Sequence, residues 1–213
     1  MEIVRGQSLK CMLRKHGPLS AETAVDVGIH LCCALGAVHE HDLVHGDLKA
    51  ENVLREDGGR IVLADFGAAR DRHRDTLAGV VSGTPSYLAP EVLSGSSATP
   101  QSDIYALGVL LFHLLTARFP CVGDSFETLL AAQVRGEHLP LAQARPDLSA
   151  RLVSAIERAL APEHHRRYAD VGEFAATLEA AVTPRPRRWR WFVMGCIVIA
   201  LAALAAHIFV PVP

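Results

Sequence analysis

His45-Gly46-Asp47-Leu48-Lys49-Ala50-Glu51-Asn52 is the stretch that decides the fold, with Asp65-Phe66-Gly67 and Ala89-Pro90-Glu91 following it. A carboxylate (Asp47), an ammonium two residues on (Lys49) and an amide five residues on (Asn52) share one short span. A second carboxylate, Asp65, follows eighteen residues after the first. A carboxylate can orient an incoming hydroxyl and accept its proton. A cation beside a transferring phosphate offsets developing negative charge. Asn52 and Asp65 supply the hard oxygens that magnesium prefers, and Gly67 gives the backbone the freedom that a turn after Asp65 needs. Any one of these pieces is weak; the ordered set at this spacing is specific.

Outward from that stretch the pattern is mainly helical. Met1–Val4 reads as the end of a strand and Arg5-Gly6-Gln7-Ser8 as a turn. Ser20 is a plausible N-cap for a helix to about Glu40, with Ala24, Val27, Leu31, Leu35 and Val38 at helical spacing. Leu43-Val44 reads as a short strand, and Val53-Leu54 with Ile61–Ala64 as a hairpin around Asp57-Gly58-Gly59. Residues 68–100 are rich in Gly, Ser, Thr and Pro and are expected to be loop. Ser102–Thr116 is apolar nearly all round, hence a buried helix, and at 15 residues too short to cross a bilayer. Asp124 with Glu127 is a capping-box-like start for a helix over 125–134. Leu148–Leu160 is amphipathic, and Asp170 with Glu173 repeats the capping pattern before Phe174, Leu178 and Val182.

With 213 residues, half of them hydrophobic, the chain can bury one core of ordinary size plus extras. A net charge of -2 leaves no footprint for nucleic acid, so none is expected as a partner. Five cysteines without a CxxC pair suggest neither a zinc site nor a disulfide framework, and the eleven histidines contain no HExxH pattern. His39, His41 and His45 crowd together but lack the ligand set of a zinc site. Trp191–Val210 is an apolar run of 20 residues broken only by His207. As a helix it spans roughly 30 Å, the hydrocarbon thickness of a bilayer. Arg185, Arg187, Arg188 and Arg190 precede it, and Trp189 and Trp191 suit the interface. The positive-inside rule then puts the preceding domain in the cytoplasm, with a single-pass membrane localisation. A buried C-terminal helix is the alternative. The expected organisation is a domain over 1–182, a basic linker over 183–190, a lipid-bilayer span over 191–210 and a tail over 211–213.

The motif set resembles the catalytic half of the Ser/Thr protein kinase family, in particular the bacterial membrane-anchored type, over about residues 1–182. The implied fold is mainly α, a protein-kinase-like C-terminal lobe with a small β-hairpin, plus one C-terminal transmembrane helix. The resemblance implies Asp47 as catalytic base and Lys49 as phosphate contact. Asn52 and Asp65 would hold Mg2+ or Mn2+, and ATP would be the phosphoryl donor to a Ser or Thr of a protein substrate. Leu54 would floor the adenine pocket, and the backbone near Glu2 and Val4 would meet the adenine edge as a hinge. Gly83–Glu91 resembles the peptide-docking segment, where Thr84 would bridge Asp47 and Lys49. His45 would support the loop near Phe66 and Gly67. Glu91 would pair with Arg167, and Asp103 would accept backbone N–H bonds from the catalytic loop; a plain helix-start aspartate is its simpler role.

Two departures stand out. Gly46 occupies a position where many kinases carry an arginine that receives a phosphate on the activation loop, so control through Thr76 or Ser82 is not expected. His-Gly-Asp also occurs in aminoglycoside-type small-molecule phosphotransferases, but Lys49 and the Gly83–Glu91 segment favour a protein kinase. No Gly-rich loop precedes the hinge-like Met1–Val4. One expectation is that the start is internal and the natural protein continues upstream. The other is a membrane-tethered binding module, a pseudokinase without catalysis.

Overall fold

The computed structural model describes residues 6–65, 70–71 and 85–182. The described residues form one compact unit. Its centre is α4 (Pro100–Thr116), in which every residue from Ser102 to Phe112 is buried. The helix starts where the sequence offers a complete stop to the preceding chain. Thr99 caps it through a reciprocal capping box with Ser102, and Pro100 occupies the first turn, where its missing N–H costs nothing. It ends on Ala117 in the left-handed region.

Around α4 pack α2 (Ala21–His39), α7 (Ala150–Ala159) and α8 (Val171–Val182). Ser20 caps α2 by accepting the Thr23 N–H at 3.2 Å. α2 is 19 residues long and apolar enough, by length and composition, to cross a membrane. Its Val27, Leu31 and Leu35 are buried in the same core as α4 and α8, while Glu22, Asp26 and His30 face out, so here it is a core helix. Each fully buried leucine of this core contributes roughly 1.5–3 kcal/mol. α4 and α7 approach so closely at Gly108 that a Cβ there would lie 2.9 Å from the Ala159 Cβ.

The small β structure differs from the expectation. Gly6–Ser8, read above as part of a turn, is a strand, β1. It pairs antiparallel with β3 (Val53–Glu56), which pairs antiparallel with β4 (Ile61–Leu63). The hairpin is therefore two strands of a three-stranded sheet in the order β1-β3-β4. A second, two-stranded ladder joins β2 (Leu43–Val44) to β5 (Arg70–Asp71). Two short helices also went unread in the sequence, α1 (Leu9–His16) and α6 (Leu141–Ala144). The segment expected to be loop over 68–100 contains β5, a 3-10 turn at Pro85–Tyr87 and α3 (Pro90–Leu93). α5 (Phe126–Val134) is capped by Ser125 rather than Asp124, because the Ser125 and Thr128 hydroxyls satisfy each other's backbone N–H groups. α8 does start on the expected pair: the Asp170 carboxylate accepts the Glu173 N–H, and Glu173 reaches back to the Ala169 N–H.

Candidate active site

β2 delivers the chain into the loop 45–52, and β3 carries it away. The loop is held from below by Asp103, in the first turn of α4. Its buried carboxylate accepts the His45 N–H at 2.9 Å on Oδ2 and the Gly46 N–H at 3.0 Å on Oδ1. His39, the last residue of α2, places Nε2 2.8 Å from the same Oδ2. A carboxylate 1% exposed is costly to bury alone, and these three donors offset that cost. Gly46 adopts φ 73, a left-handed conformation open to glycine without strain. Its identity therefore has a backbone reason.

His45 is fully buried. Its Nδ1 accepts the Asp47 N–H at 3.3 Å and its Nε2 lies 3.4 Å from the Ala64 carbonyl. Nδ1 as acceptor fixes the tautomer with the proton on Nε2, facing that carbonyl. The ring thus ties the start of the loop to the end of β4.

The next anchored side chain of the loop is Asp47. Lys49 Nζ donates to Asp47 Oδ2 at 2.6 Å, and Asn52 Nδ2 donates to the same oxygen at 3.0 Å and to the Asp47 carbonyl at 2.9 Å. Among the described residues nothing bonds Oδ1. Two of the three Lys49 ammonium protons are likewise uncommitted among the described residues. With Nδ2 turned toward Asp47, the Asn52 Oδ1 points the other way. Ala64 N–H donates to the Asn52 carbonyl at 2.8 Å, which sets Asp65 beside Asn52 across the hairpin. Asp65 is exposed and takes φ 64, unusual for a non-glycine residue. An amide oxygen just before β3 and a carboxylate just after β4 form a hard donor set that fits Mg2+.

Around the loop, Lys10 Nζ binds Glu51 Oε1 at 2.7 Å, and Ala50 N–H reaches the buried Tyr87 hydroxyl at 3.4 Å. Burial works against the Glu51 carboxylate, but the Lys10 bond, its own backbone N–H and the charges of Lys10 and Lys49 hold its pKa below the usual range. Burial pushes the Tyr87 hydroxyl well up. Tyr87 packs edge-on to Phe119, which stacks on His113.

Farther out, Arg167 is fully buried and uses all five of its N–H donors. Two go to the Glu91 carboxylate at 2.6 and 2.8 Å, and three to the carbonyls of Ala161, Gln101 and Pro162 at 2.8–3.0 Å. Its guanidinium also lies 4.8 Å over the Tyr105 ring. Leu54 is half-buried on β3, on the opposite face from the core residue Val53.

The sequence-derived candidates Asp47, Lys49, Asn52 and Asp65 thus converge, with His45 and Asp103 beneath them and Glu91 joined to Arg167. Glu2, Val4, Phe66, Gly67 and Thr84 lie outside the described residues, as do the linker and Trp191–Val210. Sequence reasoning did not find His39, Tyr87 or Lys10. His39 ends a helix six residues before His45, and nothing in its spacing foretells that the turn at 40–42 swings it under the loop. Among the described residues no group of His, Cys, Asp and Glu is arranged to hold another metal.

A helical layer carrying a loop with carboxylates, an ammonium and an amide in this order is the arrangement of a kinase-type lobe. Comparison with known proteins agrees. Residues 1–178 match the model described as "Protein kinase domain", and the chain belongs to the protein kinase family, among its bacterial serine/threonine members. It is similar to the probable serine/threonine-protein kinase PknB of Lactococcus lactis, 34% identical over 175 residues, or 81% of this chain and 28% of that protein. It is 40% identical over 171 residues to serine/threonine-protein kinase PknK of Mycobacterium tuberculosis, covering 78% of this chain and 15% of the relative. Against PknL of the same species it is 37% identical over 183 residues, 84% of this chain and 46% of the relative. The chain spans under half the length of each of these relatives.

Proposed function

We propose that this protein is a serine/threonine protein kinase that moves the γ-phosphoryl group of MgATP to a Ser or Thr hydroxyl of a protein. The observation that carries the reading is the asymmetry of Asp47. Lys49 and Asn52 hold Oδ2, which fixes the carboxylate plane and leaves Oδ1 to take the acceptor's proton. A base held in one orientation by two donors loses little conformational freedom when a hydroxyl arrives. Lys49, bonded to Asp47, stands where its remaining N–H groups neutralise phosphate charge. Mg2+, when bound, would screen the ATP phosphates; Asn52 and Asp65 are the residues that would hold it. Leu54 and the hinge backbone near Glu2 and Val4 would take the adenine, and Thr84 would bridge Asp47 and Lys49. His45, Phe66 and Gly67 support the loop in this reading. The domain over 1–182 is cytoplasmic and is tethered through the linker 183–190 by a span over Trp191–Val210, with 211–213 beyond it.

The test is transfer of label from γ-labelled ATP to a serine/threonine protein by the full chain in a lipid nanodisc, beside Asp47→Asn and Lys49→Met. Transfer by the native chain, lost by 100-fold or more in Asp47→Asn, supports the reading. Nucleotide binding without transfer would replace it with the tethered pseudokinase. Phosphorylation of an aminoglycoside and not of protein would replace it with the small-molecule class.

A further inference from the structure

One end of the helical layer gathers five helix ends. Leu19 N–H, just before α2, bonds the Leu114 carbonyl in the last turn of α4 at 2.8 Å. Arg145 Nη1 bonds the Leu115 carbonyl at 2.7 Å and the Leu19 carbonyl at 3.4 Å. Ser149, the cap of α7, donates to the Ala181 carbonyl at the end of α8 at 3.3 Å. The end of α1 joins them through residues 17–20.

This end is basic and its cations are unspent. Arg14, Lys15, Arg118 and Arg151 are exposed, and none has an ion-pair partner among the described residues. The acidic groups here are Glu22, Asp147 and Glu179; Asp147 is taken by both ends of the Arg145 fork at 2.8 Å. Arg14 and Lys15 suit the C-terminal dipole of α1, but Arg151 lies in the first turn of α7, where a cation opposes the helix dipole and no acidic residue offsets it. Arg151 lines an open groove with Ser154, Arg158, Ala180 and Ala181. Local helix electrostatics therefore gives no reason for Arg151, and an external anion does. α8 ends here, and the sequence continues through eight linker residues, 183–190, with four arginines, into the apolar run. Eight residues reach at most about 28 Å.

We propose that this end, centred on Arg151 with Arg14, Lys15 and Arg118, is a docking face for the anionic headgroups of the bilayer. The proposal rests on the membrane-span reading above. A linker this short keeps the end of α8 near the leaflet, and cytoplasmic leaflets are negative. The orientation of the domain, and not only its attachment, is then set by lipid charge.

The experiment is hydrogen exchange on the full chain in nanodiscs of phosphatidylcholine alone and of phosphatidylcholine with phosphatidylglycerol. Slower exchange over 14–20 and 145–155 in the anionic discs only, abolished by high salt, is expected. Protection should fall about fivefold per cation removed in Arg151→Gln and again in Arg14→Gln/Lys15→Gln. Equal exchange in both discs, or protection untouched by these substitutions, overturns the proposal. All three side chains are exposed, and an unchanged thermal melt certifies the variants. Alkaline carbonate extraction separates the two readings: a released chain refutes the span, and its sedimentation with anionic but not neutral vesicles would still uphold the face.

Discussion

Arg167 tests how much of this lobe hangs on one side chain. Removing Glu91 (Glu91→Ala) strands the buried guanidinium with two of its five N–H groups unbonded, since only the Ala161, Gln101 and Pro162 carbonyls remain. Breaking a buried pair from one side costs about 3–5 kcal/mol. The Glu91 side chain is 23% exposed, so water reaches its place and the lower end, about 3 kcal/mol, is expected. Arg167→Met is the harsher change. It leaves three carbonyls without their donor at about 1–3 kcal/mol each and frees a carboxylate that can partly rehydrate, about 4–6 kcal/mol together. The double variant should then cost little more than Arg167→Met alone, a coupling of about 3 kcal/mol. The assay is urea unfolding of the full chain in micelles, followed by helix circular dichroism. Additive costs, or a Glu91→Ala more damaging than Arg167→Met, would refute the reasoning that the arginine acts mainly by joining the backbone at Gln101 to that at Ala161–Pro162.

Three more outcomes follow from the same structure. Gly108→Ala drives a methyl to 2.9 Å from the Ala159 Cβ, and overpacking by a rigid neighbour should lower stability by about 1–3 kcal/mol in the same melt. Asp103→Asn offers one oxygen where two backbone N–H groups now bond, and should lower kcat at least tenfold with little change in KM for ATP; an unchanged kcat would show that the loop holds its shape without the carboxylate. His138 and Glu157 are hydrogen-bonded, and Glu157 also accepts the Leu141 N–H. The Glu157 bond raises the His138 pKa; burial opposes the Glu157 carboxylate, yet the His138 and Leu141 bonds hold its pKa below the usual range. The histidine's share of stability is complete below about pH 6.5 and lost as pH rises through its raised pKa, while the glutamate's is present above about pH 4.5 and lost as pH falls through its lowered one. The pair should therefore contribute most near pH 5–6, and His138→Gln should flatten the melting-temperature profile there; parallel profiles would sink the assignment.

The sequence made the helical part of this lobe legible for particular reasons. Ser20 followed by regular apolar spacing marks α2, an uninterrupted apolar face marks α4, and Asp57-Gly58-Gly59 between short β-branched runs marks the β3–β4 hairpin. β1 is not readable, because Gly6-Gln7-Ser8 has no alternating apolar pattern and owes its strand form to the edge of β3. α1 is too short to announce itself by periodicity. At α5 the error is one of choice: Asp124 and Ser125 both can cap, and only the reciprocal bond with Thr128 decides between them. The grouping of Asp47, Lys49 and Asn52 was legible as residue types in order. Which oxygen of Asp47 is engaged was not, because that depends on a side-chain fold-back of Lys49 and Asn52 that spacing alone does not encode. His39 is the clearest loss, a contact 64 residues apart in sequence.

The bonds from His45 and Gly46 to Asp103 fasten the loop to the most deeply buried helix of the lobe. A segment so attached has no private route to opening. The His45 and Gly46 amides should meet solvent only when α4 leaves its neighbours, so their exchange should follow the unfolding of the whole lobe and not a local fluctuation. A loop of irregular backbone thereby acquires the lifetime of the core, and the geometry around Asp47 persists as long as the fold does.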